Sequence, residues 1–201
     1  MKIPDKVREF HGHVCPGVAY GVRVASVVLQ QFGQRAEDEE LVAIVENDSC
    51  AVDAIQVMTG CTFGKGNLLF KDYGKQVYTF FKRSSKEGLR IAVKGIEYPE
   101  TDEQKALWKQ FRSGDKRQEV VRAVEAMKAE KISLILSADE QAVLTIAKIS
   151  VELPPEAKIY PSLRCSTCGE KVMESRIRVR HGQYLCIPCE ASEGLYQKQP
   201  S

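Results

Sequence analysis

Four scarcities bound the reading of this 201-residue chain. Histidine occurs three times and tryptophan once, so a cluster of imidazoles is informative wherever it falls. Net charge is scarce too: 29 basic and 27 acidic residues leave +2, which gives no general attraction to nucleic acid or to a membrane surface. Long apolar runs are missing. Leu41–Val45 is among the longest and is far too short to span a bilayer. The opening Met1-Lys-Ile-Pro-Asp-Lys has no apolar h-region, so no secretory leader is read there. The expectation is a soluble cytoplasmic protein of ordinary globular composition.

Cysteine is not scarce. Seven occur, and in a reducing compartment they point to metal or redox chemistry before disulfides. Four form Cys165-x-x-Cys168 and Cys186-x-x-Cys189, separated by seventeen residues. That is the ligand spacing of a tetrahedral four-cysteine zinc site, because two thiolates three residues apart reach one ion from a tight turn. Gly169 supplies permissive backbone after the second ligand. Between the pairs, Arg176–Arg180, His181-Gly182 and Gln183–Leu185 read as a hairpin. Pro188 suits the first turn of a helix over residues 188–197. Knuckle, hairpin and helix in that order form a treble clef. So short a segment builds little core, so metal supplies most of its folding free energy. Arg176, Arg178 and Arg180 fall on one face of the expected strand; they are read as a solvated face in preference to a nucleic-acid contact.

The prolines at 154, 155 and 161 break the pattern, which divides the chain into a core over 1–160 and a finger over 161–201. In the core, Val18, Val22, Ala25, Leu29 and Phe32 recur at helical spacing, predicting a helix over 16–32 stopped by Gly33. Leu41–Val45 suits a buried strand. Ser49 is placed as the cap of a helix that runs through Met58 to Gly60. Gln76–Arg83 and Leu89–Val93 read as strands around a polar turn. Thr101 with Gln104 makes a capping box for a helix carrying Leu107 and Phe111, and Asp115 with Gln118 offers a second cap. A last strand falls within Ala142–Glu152. Strict alternation of helix and strand is lacking, so the fold class is α+β.

The chemistry-bearing segment of the core is Phe10-His11-Gly12-His13-Val14-Cys15-Pro16-Gly17. Pro16 belongs in the first turn of the helix, which makes Cys15 its cap, where the positive helix end favours a thiolate. Cys50 follows the buried strand in Glu46-Asn-Asp-Ser-Cys50-Ala-Val-Asp53. Cys61 stands just past Gly60, in Gly60-Cys-Thr-Phe-Gly64-Lys65-Gly66-Asn67. Imidazole and thiolate together suit zinc, iron, nickel or copper, so His11, His13, Cys15, Cys50 and Cys61 are the candidate core site for a second transition metal. A buried cysteine is often only a small hydrophobe, a reading that weighs most on Cys61. The Gly60–Lys65 loop is one residue short of a phosphate-binding loop and has Gly66 where Ser or Thr is required, which removes that reading.

The two blocks, with Gly21 and Arg23 behind the first and Asp53-Ala-Ile-Gln56 within the second, closely resemble the signature of the E-subunit-like family of formylmethanofuran dehydrogenase. The resemblance covers residues 5–160, and the four-cysteine tail resembles the auxiliary finger of some members. It implies an α+β core pairing as an intertwined homodimer, with a metal-binding, active-site-like cavity at the His-x-Cys motif. It also implies an association with a molybdenum or tungsten formylmethanofuran dehydrogenase, the enzyme that takes carbon dioxide into methanogenesis. Residue by residue, it carries over to His11, His13, Cys15, Cys50 and Cys61.

Three functions are consistent with these residues. The first is a metal-binding redox or accessory protein for such an oxidoreductase; the chain shows no pterin domain and no ferredoxin-type cysteine run. The second is an independent metallo- or thiol enzyme, with Cys15 as nucleophile or ligand, His13 as its acid/base partner, and Asp53 or Lys65 orienting substrate. The third is a sensing module that contacts nucleic acid or protein through the finger.

Overall fold

The computed structural model describes residues 1–85, 87–150 and 158–191. The chain divides into two compact units, Met1–Glu156 and Ala157–Ser201. The first unit is an α+β core. Its elements are α1 (Asp5–His11), α2 (Pro16–Phe32), β1 (Leu41–Val45), α3 (Ala51–Thr59), β2 (Leu68–Phe70), β3 (Val77–Lys82) and β4 (Glu87–Val93), followed by α4 (Asp102–Arg112), α5 (Gln118–Ser137), α6 (Glu140–Val143) and β5 (Leu144–Ser150).

Five strands form one sheet in the order β2-β1-β3-β4-β5. β1 lies parallel to β2 and antiparallel to β3, so both of its edges are occupied. That inner position accounts for its unbroken Leu-Val-Ala-Ile-Val sequence: Leu41, Val42, Ala43 and Val45 are all buried. β3 is buried on both faces through Tyr78, Phe80 and Phe81. β3, β4 and β5 form an antiparallel meander, paired Phe80 with Leu89 and Ile91 with Ile146.

The predicted α2 is present from Pro16 to Phe32 and ends at Gly33, whose φ of 90° no branched residue would tolerate cheaply. It is buried on more than one stripe, with Val18, Val22, Val24, Ala25 and Val28 all inside. Arg23 is buried with them and donates from Nη1 to the Leu136 carbonyl at 3.3 Å, a cation on the last turn of α5. The Thr101–Gln104 capping box starts α4 as expected, with both reciprocal bonds made.

Two expected caps are corrected. Cys50, not Ser49, occupies the cap position of α3, and no side chain caps that helix; the Ser49 hydroxyl turns instead toward Tyr78 and Gln76. Arg117 precedes α5, and the Asp115 carboxylate accepts from the Arg117 N–H and guanidinium instead of capping the helix. Three elements of the core went unexpected: α1, β2 and the four-residue α6. Among the described residues no helix is long and apolar enough to cross a membrane.

The second unit holds β6 (Ser162–Arg164) paired with β7 (Lys171–Met173), then a 3-10 turn (Glu174–Arg176), the hairpin β8 (Arg178–Arg180) with β9 (Gln183–Leu185), and α7 (Ile187–Glu190). This is the expected treble-clef order of knuckle, hairpin and helix. The helix expected over 188–197 is described only as far as Glu190; residues 192–197 lie outside the described residues. The arginine stripe is corrected as well. Arg176 belongs to the 3-10 turn, Arg178 and Arg180 to β8, and Arg180 is paired with Glu190, so three arginines do not line one strand face.

Candidate metal centres

Two groups of metal-ligating side chains converge, one in each unit. In the second unit, Cys165 and Cys168 sit on the turn between β6 and β7. Gly169, at φ 76°, lets its N–H reach back to the Cys165 carbonyl at 2.9 Å. Cys186 and Cys189 lie at the start of α7, with Pro188 in its first turn. The four sulfurs lie within 4.8 Å of one another, and backbone N–H groups point at them: Cys186 N–H to Cys165 Sγ at 3.3 Å, Cys189 N–H to Cys186 Sγ at 3.4 Å. Cys168 and Cys186 sulfurs are 4.0 Å apart. A tetrahedral ion with sulfur at about 2.3 Å needs neighbouring sulfurs about 3.8 Å apart, so the donor set fits zinc. The thiols diverge in acidity. Burial opposes ionisation of Cys165, but N–H groups of Cys168, Cys186 and Thr167 outweigh it and bring that thiol to about 6. The bonds Cys189 makes to Cys186, together with burial and the other sulfurs, push it to about 12.

In the core, the first block folds as a corner. α1 ends at Gly12 in the left-handed region (φ 84°), which leaves His11 on its last turn. Cys15 then caps α2, its sulfur accepting the Val18 N–H at 3.4 Å, with Pro16 beginning the helix. Cys50 stands at the N-terminal end of α3, so two thiols meet at two helix N-termini. Gly17 permits the approach: a methyl group there would lie 3.0 Å from Cys50 Cβ and 3.7 Å from Cys15 Sγ.

His11, Cys15 and Cys50 bring one donor atom each within 4.8 Å of the others. His11 is held by the first turn of α3: its Nδ1 lies 2.7 Å from Asp53 Oδ2, in a pair with only 10% of the imidazole side chain exposed. The carboxylate therefore accepts Nδ1–H and turns Nε2 toward Cys15 Sγ, 3.9 Å away. The Cys50 thiol is pushed up by burial, then by the neighbouring Cys15. Donor type and spacing fit a two-sulfur, one-nitrogen ligand set with an outer carboxylate.

The other expected residues are placed elsewhere. His13 is exposed, its ring 4.5 Å from that of His11 and tilted by 40°, outside the ligand group. Cys61 is fully buried and donates to the Leu41 carbonyl at 3.3 Å; burial raises its thiol to about 11. Lys65 donates to the carbonyls of Ala36, Glu37 and Asp38, which makes it a strut between its own loop and the segment that leads into β1. Asn67 does the same from inside, bonding the Asp38 and Leu41 carbonyls and the Thr62 N–H. The Asp53–His11 bond was not foreseen. It links residues 42 apart, and no spacing signals it.

The family described as "FmdE, Molybdenum formylmethanofuran dehydrogenase operon" matches residues 10–145. The chain belongs to the FmdE family. The prokaryotic dksA/traR C4-type zinc finger family matches residues 158–193 of this FmdE protein, in agreement with its second unit. A probable S-adenosyl-L-methionine-binding protein of Archaeoglobus fulgidus is 29% identical over 197 residues, 93% of this chain and 52% of its own length. The FmdE chain thus spans about half the length of that curated relative. A tungsten formylmethanofuran dehydrogenase FmdE-like protein from Syntrophus aciditrophicus shares the fold, with a TM-score of 0.57, 20% identity, 94% of this chain covered and 90% of that one.

Proposed function

We propose that this FmdE protein is a metal-binding accessory protein of formylmethanofuran dehydrogenase-type redox chemistry, working as a homodimer, with His11, Cys15 and Cys50 holding a transition metal in the core. The observation that carries the reading is the convergence of three donor atoms from the ends of three helices within 4.8 Å, with the imidazole fixed by Asp53. Loops that merely fill space have no need for a carboxylate to fix a histidine tautomer. The family description supports the association with the dehydrogenase.

Each residue has a separate task. Cys15 and Cys50 present sulfurs from helix ends, where the backbone N–H groups and the dipole favour negative charge. His11 presents Nε2 as the neutral ligand, and Asp53 keeps the proton on Nδ1. Three protein ligands leave a position for a small molecule, where a bound metal would act as a Lewis acid. His13, exposed with its ring 4.5 Å from that of His11, is the acid/base candidate for a molecule bound there.

The name of the Archaeoglobus relative favours a second reading, in which the same core binds S-adenosylmethionine. Metal content per chain separates the two. In the accessory metal protein, wild type carries more than one metal per chain, and Cys15→Ser loses the excess while keeping the finger's zinc. Asp53→Asn weakens the core metal by roughly ten- to a hundred-fold without removing a ligand. A single zinc per chain, unchanged in Cys15→Ser under metal-replete conditions, would end the metal reading.

A further inference from the structure

The core centre has a neighbour that the proposed function does not use. A cavity of about 420 Å³ is lined by Lys6, Phe10, Arg35, Gln56, Val57 and Thr62. That volume is of small-molecule size. Phe10 is the residue before His11, and Gln56 stands one helical turn beyond Asp53 on α3, so the cavity is built on the same two helices, α1 and α3, that carry His11 and Asp53. Its two ionisable lining residues are both cations. Neither Lys6 nor Arg35 has a carboxylate partner among the described residues; Arg35 is positioned by its Nε donating to the Val57 carbonyl at 3.0 Å, which leaves both terminal nitrogens of the fork for a ligand. Glu40, which borders Arg35 in a separate cavity of about 260 Å³, spends its carboxylate on the N–H groups of Glu37 and Asp38. The walls between the cations are Phe10, 60% exposed despite its size, and Val57.

The larger cavity of the core, about 780 Å³ beside Val14, lacks this bias, because Asp5 lies among its cations Lys2 and Arg8. The smaller one is apolar along its body and singly signed at its rim. We infer that it is the binding site for a small planar organic anion, whose flat body lies against Phe10 and Val57 and whose phosphate or carboxylate meets Lys6 and Arg35. The assignment deepens the metal-centre reading by naming the class of molecule brought beside His11, Cys15 and Cys50. It disfavours S-adenosylmethionine in this cavity, since a sulfonium and an ammonium would face Lys6 and Arg35 with no carboxylate in the lining.

Calorimetric titration of the full chain with phenyl phosphate, benzoate and phenol tests it. Both anions bind and phenol binds at least roughly tenfold more weakly, the increment of one charge-assisted contact. Lys6→Gln and Arg35→Gln each weaken phenyl phosphate by roughly tenfold, and Phe10→Ala weakens anions and phenol alike. Arg35→Lys keeps the charge and loses the fork, so it binds phenyl phosphate more weakly than wild type and more tightly than Arg35→Gln. Cys15→Ser retains phenyl phosphate binding while its metal content falls, so cavity and metal centre are tested separately. Equal binding of phenol and phenyl phosphate, binding of neither anion at millimolar concentration, or indifference to both charge substitutions would overturn the assignment.

Discussion

Gly21 of α2 lies so close to Ala51 of α3 that a methyl group on Gly21 would fall 2.3 Å from the Ala51 carbonyl oxygen and 2.7 Å from its Cα. Ala51 follows Cys50 directly, and Gly21 lies less than two turns beyond Cys15. The backbone contact between these helices therefore sets the separation of the two core thiols. Backbone on both sides leaves nothing flexible to yield. Gly21→Ala gains about 1 kcal/mol of helix propensity but must force the helices apart, at a cost of about 3 kcal/mol or more. The expected net effect is a fall in the core melting temperature of roughly 4–8 °C, together with loss of core metal. Gly64→Ala is the control, since nothing lies within 4 Å of a methyl group there and φ is not positive. Equal melting of the two variants would refute the close approach.

Much of this architecture could be read without coordinates, and the reason is local chemistry. Pro16 and Gly33 bracket α2, the capping box opens α4, and the apolar run of β1 marks a strand with both edges paired. The elements that escaped notice have little local signal. α1 is seven residues long with only Val7 buried, so it shows no period, and β2 is three residues held by parallel pairing with β1. The site divides in the same way. The cap position of Cys15 follows from Pro16. The partnership of His11 with Asp53 depends on how α1 packs against α3. Cys50 and Cys61 look alike as thiols after glycine- or serine-bearing turns, and only burial separates one beside the His–Cys pair from one pointed at a strand carbonyl.

The Cys61 thiol gives the fold a pH dependence of known sign. Burial raises it from an ordinary 9.0 to about 11. A thiol shifted upward holds its proton more tightly in the folded state, so its contribution is complete below pH 9 and is lost as pH rises through 11. That rise corresponds to about 3 kcal/mol. Tyr20 and Tyr78, also raised by burial, lose stability in alkali in any variant that retains them. The measurement is therefore a difference: urea unfolding of wild type and Cys61→Ala at intervals from about pH 8 to about pH 11. Wild type loses about 2 kcal/mol more than the variant over that range, because at pH 11 the folded-state thiol is only half titrated; parallel curves would show that Cys61 titrates normally.

In the second unit the buried apolar cluster consists of the ligands themselves: Cys165, Cys168 and Cys186, with Val172, Leu185 and Cys189 against them. Remove the ion and, among the described residues, no other side-chain core is left to hold β6–β7, β8–β9 and α7 together. Zinc contributes on the order of 10 kcal/mol to sites of this type, more than a small unit's whole stability. Cys186→Ser should therefore unfold residues 161–191. The first unit has its own core around Val18, Val28, Ile55, Phe80 and Ile91, and should keep its melting temperature to within about 2 °C. Limited proteolysis read by mass spectrometry checks both halves of the claim. Cleavage confined to the region after Tyr160, with an intact fragment carrying Met1 to Ser150, is the expected pattern. Cleavage within β1 or α2 at the same protease dose would mean that the core depends on the finger, because a separately stabilised sheet stays closed when its neighbour melts.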